Sequence, residues 1–300
     1  MKFLKNACAF IWAYLTYNNY KKKLLKLRNP DEIMINLAGH WGDIVLGLLY
    51  VDQYKLETNQ KIVCVVDEKY KEFAQSYNID RIITHKSNTL THMYKYVGSI
   101  KEWRNKKGNR IFLGTPPTYS NFKGYHIQEV MRDIIYNVSQ DNPTFPTLPN
   151  IPITTIPNFE ENKNRIIIFN PYSASHKNIF PLCQALADSL QDTDYILYTN
   201  VVGNQQPLQG TTPLNCSMFE FFNIAQQAKL FVSVRSGIVD TLCGTNSNLV
   251  VLYTARNWFR SFYSILPLKP NNTLEIYHTG KDYSIPTKNF LNFLNKLNSK

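Results

Sequence analysis

Three short clusters in this sequence bring together residue types that bind anions or move protons, and each follows an apolar run of strand length. In Gly39-His40-Trp41-Gly42-Asp43 a glycine-bounded turn leads from a strand candidate into a helix-forming run that opens on a carboxylate. The helix dipole keeps such a carboxylate anionic, and it can then cap the helix or take a proton from a hydroxyl. Both readings are open for Asp43. His40 in the same turn could meet a phosphate or a hydroxyl, and no spacing supports a metal role for it.

The second cluster is Asn170-Pro-Tyr-Ser173-Ala-Ser175-His-Lys177-Asn178. Two hydroxyls, loop amides and a lysine are what a diphosphate needs; a polar loop with a solvated Lys177 is the alternative. The third is Ser233-Val-Arg235-Ser236-Gly237-Ile-Val-Asp240. A buried-looking strand delivers Arg235 to a sheet edge where Ser236 and Gly237 start a helix, an arrangement suited to anion recognition. Alternatively, Arg235 and Asp240 pair with each other or cap the helix.

The elements that must position these clusters alternate along the chain. Strands are expected at Glu32–Leu37, Lys61–Val66, Arg81–Thr84 and Arg110–Leu113, with helices at about 43–57, 68–77 and 88–104. Apolar residues at helical spacing predict another helix over His126–Val138. Residues 141–160 hold five prolines, which remove ladder donors and disfavour helix, and so read as an extended linker. The alternation then restarts. Strands are expected at Arg165–Asn170, Tyr195–Thr199, Leu230–Val234, Leu249–Tyr253 and Leu274–Tyr277. Helices are expected at Pro181–Leu190, from the capping-box pattern Ser217-Met-Phe-Glu220 to Ala228, at Gly237–Cys243 and at 287–298. The expected fold is α/β, two Rossmann-like domains facing a cleft. Residues 29–140 would be the first domain, 161–280 the second, and 281–300 a helix returning to the first. Neither a G-x-G-x-x-G fingerprint nor a Walker loop is present.

Composition sets the bounds. Three hundred residues, 44% hydrophobic and 18% charged, can build a sizeable core. The net charge is +11, but residues 1–28 carry +7 of it with no acid, which leaves +4 on the other 272. A nucleic-acid binder usually spreads its basic surface over the folded domain, so nucleic acid is not an expected partner. The five cysteines are odd in number and widely spaced, without a C-x-x-C pair, so a reducing compartment is the default. The apolar run Ala7–Tyr17 is too short to span a bilayer, which takes about 20 residues. With Phe3, Trp12, Tyr14 and Tyr17 beside the Lys21-Lys22-Lys23 cluster, residues 1–28 suit a basic aromatic helix on an anionic membrane surface. A helix packed on its own domain and a signal peptide without a small-x-small cleavage site are the alternatives.

Taken together, the three clusters resemble the ADP-heptose:lipopolysaccharide heptosyltransferase family and its relatives, which have the two-domain GT-B fold. The family's Gly-Asp pair opening the first helix is similar to Gly42-Asp43. Its Asn-Pro-type turn with a Ser/Lys loop is similar to Phe169–Lys177, and its late strand with a Thr/Ser-Gly helix start to Phe231–Asp240. The resemblance implies a glycosyltransferase with Asp43 as general base, if the enzyme inverts. It implies that Lys177, Ser173 and Ser175 hold the donor diphosphate, that Arg235, Ser236 and Gly237 bind phosphate or ribose, and that Asp240 binds a hydroxyl. Gly39, His40 and Gly42 would serve the acceptor side or the turn itself. It implies no metal and no cofactor beyond the nucleotide-sugar substrate. Asp192-Thr-Asp194 has the Asp-x-Asp form of metal-dependent transferases, but it precedes its strand and reads as a solvated turn. The family's Asp before Thr-Gly is here Arg235, and its His three residues after that Gly is here Asp240, so ADP-heptose is not carried over as donor.

The expected function is sugar transfer from a nucleotide-sugar to a lipid-linked surface glycan or lipooligosaccharide acceptor at the inner face of the cytoplasmic membrane. The other classes considered are a nucleotide-sugar epimerase or hydrolase, and a non-catalytic nucleotide-binding or membrane-associated assembly protein. Release of free nucleoside diphosphate without an acceptor separates the hydrolase; absence of any nucleotide-sugar binding separates the assembly protein.

Overall fold

Runs of Ile, Val and Leu bounded by turns form two sheets, one in each half of the chain. In the computed structural model the described residues are 26–27, 29, 31–37, 41–85, 101–104, 110–113, 124–173, 180–253 and 261–299. The chain divides into two compact units, Met1–Thr147 and Leu148–Lys300.

In the first unit, β1 (Glu32–Leu37), β2 (Lys61–Asp67), β3 (Arg81–His85), β4 (Lys101–Arg104) and β5 (Arg110–Leu113) lie in the order β3-β2-β1-β5-β4. All pairs are parallel except β4 with β5, which is antiparallel. The expected helix over 88–104 is corrected over its last residues. Pairing of Lys101–Arg104 with Leu113–Arg110 sets their conformation, and 88–100 lie outside the described residues. The expected helix over 43–57 is divided into α1 (Trp41–Gly47) and α2 (Val51–Thr58). The buried Tyr136 hydroxyl donates to the Gly47 carbonyl at 2.5 Å, taking an acceptor that a continuing helix would use. Gly47 also lies against Leu37, where an added Cβ would stand 2.2 Å from Leu37 Cδ2. After β2 comes α3 (Lys71–Ala74). The later helix starts as α4 (Ile127–Glu129), capped reciprocally by His126 and Glu129, and continues as a π-helical stretch over Val130–Tyr136.

The proline-rich stretch is not a free tether. Asp141 accepts from Tyr50 Oη, from Gln128 Nε2 (2.8 Å) and from Arg132 Nη1 (3.1 Å), and the Thr147 amide donates to Ser76 O (2.8 Å). Beyond the division at Leu148, one oxygen of Glu220 accepts from the amides and hydroxyls of both Thr154 and Thr155 at 2.6–3.1 Å. Ile156 and Phe159, the latter opening α5 (Phe159–Asn162), are buried in the second unit. Proline keeps this chain extended, and side chains of each unit take up its polar groups.

In the second unit, β6 (Ile166–Asn170), β7 (Ile196–Asn200), β8 (Thr212–Leu214), β9 (Leu230–Val234), β10 (Leu249–Tyr253) and β11 (Thr273–Tyr277) pair in parallel in the order β11-β10-β9-β6-β7-β8. Every residue of β6, β9 and β10 is buried, as expected of parallel strands covered on both faces. α6 (Phe180–Asp188) packs on this sheet, and α7 (Met218–Gln227) begins at Ser217, whose Oγ accepts from the Glu220 amide. Only half of the expected capping box forms, because the Glu220 carboxylate holds Thr154 and Thr155 instead. α8 (Gly237–Leu242) follows β9, and α9 (Ser284–Asn298) ends the unit.

The apolar stripe of the last helix, α9, packs within the second unit. Phe290, Leu294 and Leu297 of α9 are buried in the second core with Leu182, Leu186 and Ile167. Each such burial is worth about 1.5–3 kcal/mol, so this apolar face is used within its own unit. Asn298 Nδ2 also donates to Tyr195 Oη at 2.7 Å, and Lys229 Nζ to Leu297 O at 3.1 Å.

Candidate functional site

The strand order of the second sheet runs outward from β6 in one direction and from β9 in the other, so it turns between these two strands. In open parallel sheets, ligands bind outside the carboxyl ends of the strands at that switch point. Here Asn170 and Ser233 face each other in register at the carboxyl ends of β6 and β9. Asn170, 2% exposed, donates through Nδ2 to Ser233 Oγ (2.9 Å) and accepts at Oδ1 from Asn200 Nδ2 (2.8 Å). The amide thus ties three neighbouring strand ends together. Asn170 and Ser233 open the second and third sequence clusters, which gave neither a role of its own, and Asn200 was not singled out.

One step further along β9 the chain reaches Arg235 and Ser236, then α8. Arg235 is 5% exposed and Asp240 2%. Nη1 of Arg235 donates to Asp240 Oδ2 at 2.8 Å and Nη2 to Oδ1 at 2.5 Å, a bidentate pair. Nε donates to Tyr263 O (2.9 Å), and Nη1 also to Ser236 O (3.0 Å). Burial alone would lower the pKa of Arg235, but the Asp240 carboxylate outweighs it and the guanidinium stays protonated. Burial pushes the Asp240 carboxyl above its ordinary value, against the opposing pull of Arg235. Mutual pairing, one of the two sequence readings, is the one observed. In this arrangement the Asp240 carboxylate faces the Arg235 guanidinium, which also meets the Tyr263 and Ser236 carbonyls.

Ser236 and Gly237 stand beside that pair. Ser236 Oγ is buried without a hydrogen-bond partner. Of the Ser/Lys loop, Ser173 is half-buried three residues beyond β6, next to Tyr172, whose hydroxyl donates to Gln206 O at 2.7 Å. Ser175 and Lys177 lie outside the described residues.

In the first unit, Gly42 and Asp43 are half-buried in the first turn of α1, while Gly39 and His40 lie outside the described residues. The helix starts two residues before Asp43, at Trp41, whose ring packs on Phe73 (4.1 Å between centroids) and edge-on to Tyr70 (6.2 Å). Asp43 is thus the third helical residue and not the N-cap. It stays within the turn where a negative charge is favoured by the dipole.

Asp192 and Asp194 are exposed in the turn before β7, and the Asp194 carbonyl accepts from Arg165 Nε at 2.9 Å. This is the amino edge of the sheet, opposite the switch point. Among the described residues, no group of three or more His, Cys, Asp or Glu side chains is placed to hold a metal ion. Cys64, Cys183 and Cys243 are free and buried, and burial pushes their thiols up, that of Cys243 to about 12.

No protein-family model matches this chain, and no curated protein matches its sequence. In structure it is similar to Escherichia coli heptosyltransferase WaaC with ADP, with a TM-score of 0.57 and 12% identity over 89% of this chain and 99% of that one. It is also similar to the family 9 glycosyl transferase from Veillonella parvula (TM-score 0.56, 14% identity, 88% of this chain and 90% of that one). A third likeness is to the dodecameric iron-containing glycosyltransferase TibC from enterotoxigenic E. coli, with a TM-score of 0.57 and 13% identity over 91% of this chain and 77% of that one. At such identities the likeness is one of fold. It spans both units and bears out the α/β class with two Rossmann-like units that is called GT-B.

Proposed function

We propose that this protein is a glycosyltransferase that moves a sugar from a nucleotide-sugar to a hydroxyl of a lipid-linked surface glycan. The observation that carries the reading is the likeness of fold to sugar transferases over about nine-tenths of the chain. Supporting it are a carboxylate in the first turn after β1 and a Ser236-Gly237 step at the carboxyl edge of the second sheet. In this reading Asp43 accepts the proton of the acceptor hydroxyl as its oxygen attacks the anomeric carbon from the face opposite the leaving group. The bond to the nucleoside diphosphate breaks, and the configuration inverts. Lys177, Ser173 and Ser175 hold the diphosphate and offset the charge that develops on it. Ser236 and Gly237 meet a phosphate or ribose oxygen. With Arg235 neutralised by Asp240, the donor need not be the one that WaaC uses.

The test is a thermal-shift panel of UDP-, GDP-, ADP- and CMP-sugars on the full-length chain. One nucleotide class is expected to raise the melting temperature, because a ligand at a hundred times its Kd stabilises by about 2.7 kcal/mol. If none does, the reading falls and an assembly role takes its place. Turnover of the stabilising donor without any acceptor would point to a hydrolase.

Residues 1–28 bring this activity to its acceptor, in the same proposal, by binding an anionic membrane surface through their +7 charge and their aromatic side chains. Among the described residues no helix is long and apolar enough to cross a membrane. Full-length protein is expected to pellet with vesicles rich in phosphatidylglycerol and protein lacking residues 1–28 to stay in the supernatant. Equal pelleting of the two would remove the membrane contact.

A further inference from the structure

Two tyrosine hydroxyls, a serine hydroxyl and a backbone amide converge on one carboxylate, that of Glu275 in the middle of the edge strand β11. Its Oε1 accepts from Tyr253 Oη (2.8 Å), the Ile265 amide (2.7 Å) and Ser264 Oγ (3.0 Å). Its Oε2 accepts from Tyr277 Oη (2.9 Å) and again from Ser264 Oγ (3.0 Å). The Tyr253 and Tyr277 rings stack at 4.6 Å, so the two hydroxyls reach the carboxylate from one side. Ser264 and Ile265 belong to the segment that follows β10. Burying part of a carboxylate in an edge strand is costly unless its oxygens are satisfied, and here both are.

What Glu275 grips is one residue from what Arg235 holds. The Tyr263 carbonyl accepts from Arg235 Nε (2.9 Å) and lies 3.1 Å from Tyr253 Oη, whose one proton goes to Glu275, and Arg235 Nη1 also donates to the Ser236 carbonyl (3.0 Å). A continuous set of charge-assisted hydrogen bonds therefore runs from Glu275, through residues 263–265 and Arg235, to the main chain of Ser236. It ends beside a buried hydroxyl that has no partner, a cost that a ligand oxygen would remove. Such networks set geometry collectively.

We propose that Glu275 is a positioning residue for Ser236. It touches no donor. It pins the 263–265 segment, so that the Tyr263 carbonyl and Arg235 hold Ser236 where its hydroxyl meets a phosphate or ribose oxygen of a nucleotide-sugar. This rests on the reading of that edge as the donor site.

The test compares full-length parent, Glu275→Gln and Ser264→Ala by two measurements. The first, amide hydrogen exchange of residues 235–240, needs no ligand; about tenfold faster exchange in Glu275→Gln is expected from weakening a charged hydrogen-bond network. The second is turnover with each donor of the UDP-, GDP-, ADP- and CMP-sugar panel. The donor KM is expected to rise about tenfold at unchanged kcat, because the lost interaction acts on donor binding and leaves the reacting atoms alone. A purely structural role would lower the amount of active enzyme and leave KM where it was. Ser264→Ala, which keeps the carboxylate, should move both readouts in the same direction by less, and it carries the test if Glu275→Gln fails to fold. Unchanged exchange at 235–240, or faster exchange with an unchanged KM, overturns the proposal. A parent that binds no member of the panel overturns the donor reading instead, and the exchange measurement then decides the role of Glu275 by itself.

Discussion

Replacing Asp240 with Asn is expected to destabilise the protein by about 3–5 kcal/mol, measured by denaturant unfolding against the parent. The side chain keeps its shape, so the loss does not come from a cavity. It comes from a guanidinium that is 5% exposed and would face a neutral amide in place of its counter-charge. Arg235 can keep its bonds to Tyr263 O and Ser236 O, but neither carbonyl carries a formal charge. The paired change Arg235→Met with Asp240→Leu removes both charges at once. It is expected to come within about 1 kcal/mol of the parent or to exceed it, because desolvating two ions offsets most of what their attraction gains. A single Asp240→Asn variant as stable as the parent would show that the pair is not what holds this turn. The comparison also bears on function. If Arg235 instead served an incoming phosphate, Asp240→Asn would free it and tighten donor binding.

The sequence announced β1, β2, β6, β9 and β10 because their burial is nearly complete, whereas β8, a short and mostly exposed strand, was not expected. Ile-Ile-Ile-Phe, Leu-Phe-Val-Ser-Val and Leu-Val-Val-Leu-Tyr are runs that only a sheet covered on both faces accommodates, and turn residues bound them. The β4 strand was not legible in the same way, since an antiparallel edge takes its conformation from β5 across the sheet. The apolar stripe of α9 could be read from spacing, yet its destination could not, because spacing says which face is buried and not against what. The same limit applies at the site. Arg235 at a strand end looks alike in sequence whether it awaits an anion or already holds a carboxylate five residues on; the depth of both side chains decides it, and depth is a tertiary property. Glu275 between Leu274 and Ile276 reads as the outward residue of an edge strand. Of its partners, Tyr277 lies two residues on in the same strand and Tyr253 on the neighbouring β10, whereas Ser264 and Ile265, eleven and ten residues earlier, meet it through a tertiary approach that spacing does not announce.

Changing Asp43 to Asn is expected to lower kcat by about a hundredfold to ten-thousandfold, the range that positioned general bases supply. The donor KM should hardly move, because in the proposed reaction the donor is held by residues of the second unit and Asp43 acts on the acceptor hydroxyl. The variant should fold. Asp43 is half-buried in the first turn of α1, where exchanging its charge for an amide forfeits a dipole interaction of about 0.3–1 kcal/mol. These magnitudes separate the two readings of this carboxylate. A residue that only stabilised the helix start would lose a little melting temperature and keep its turnover, whereas a base loses turnover and keeps its melting temperature. The start of α1 at Trp41 sharpens the contrast, since Trp41 is anchored by Phe73 and Tyr70 and Asp43 does not occupy the cap. A pH–rate profile adds an independent sign. A base must be deprotonated to act, so parent activity falls as the pH drops through its titration, and Asn, which does not titrate there, abolishes that acid limb along with the rate. Turnover within twofold of the parent, with the acid limb intact, would remove Asp43 from the reaction and leave proton transfer to another group on the acceptor side.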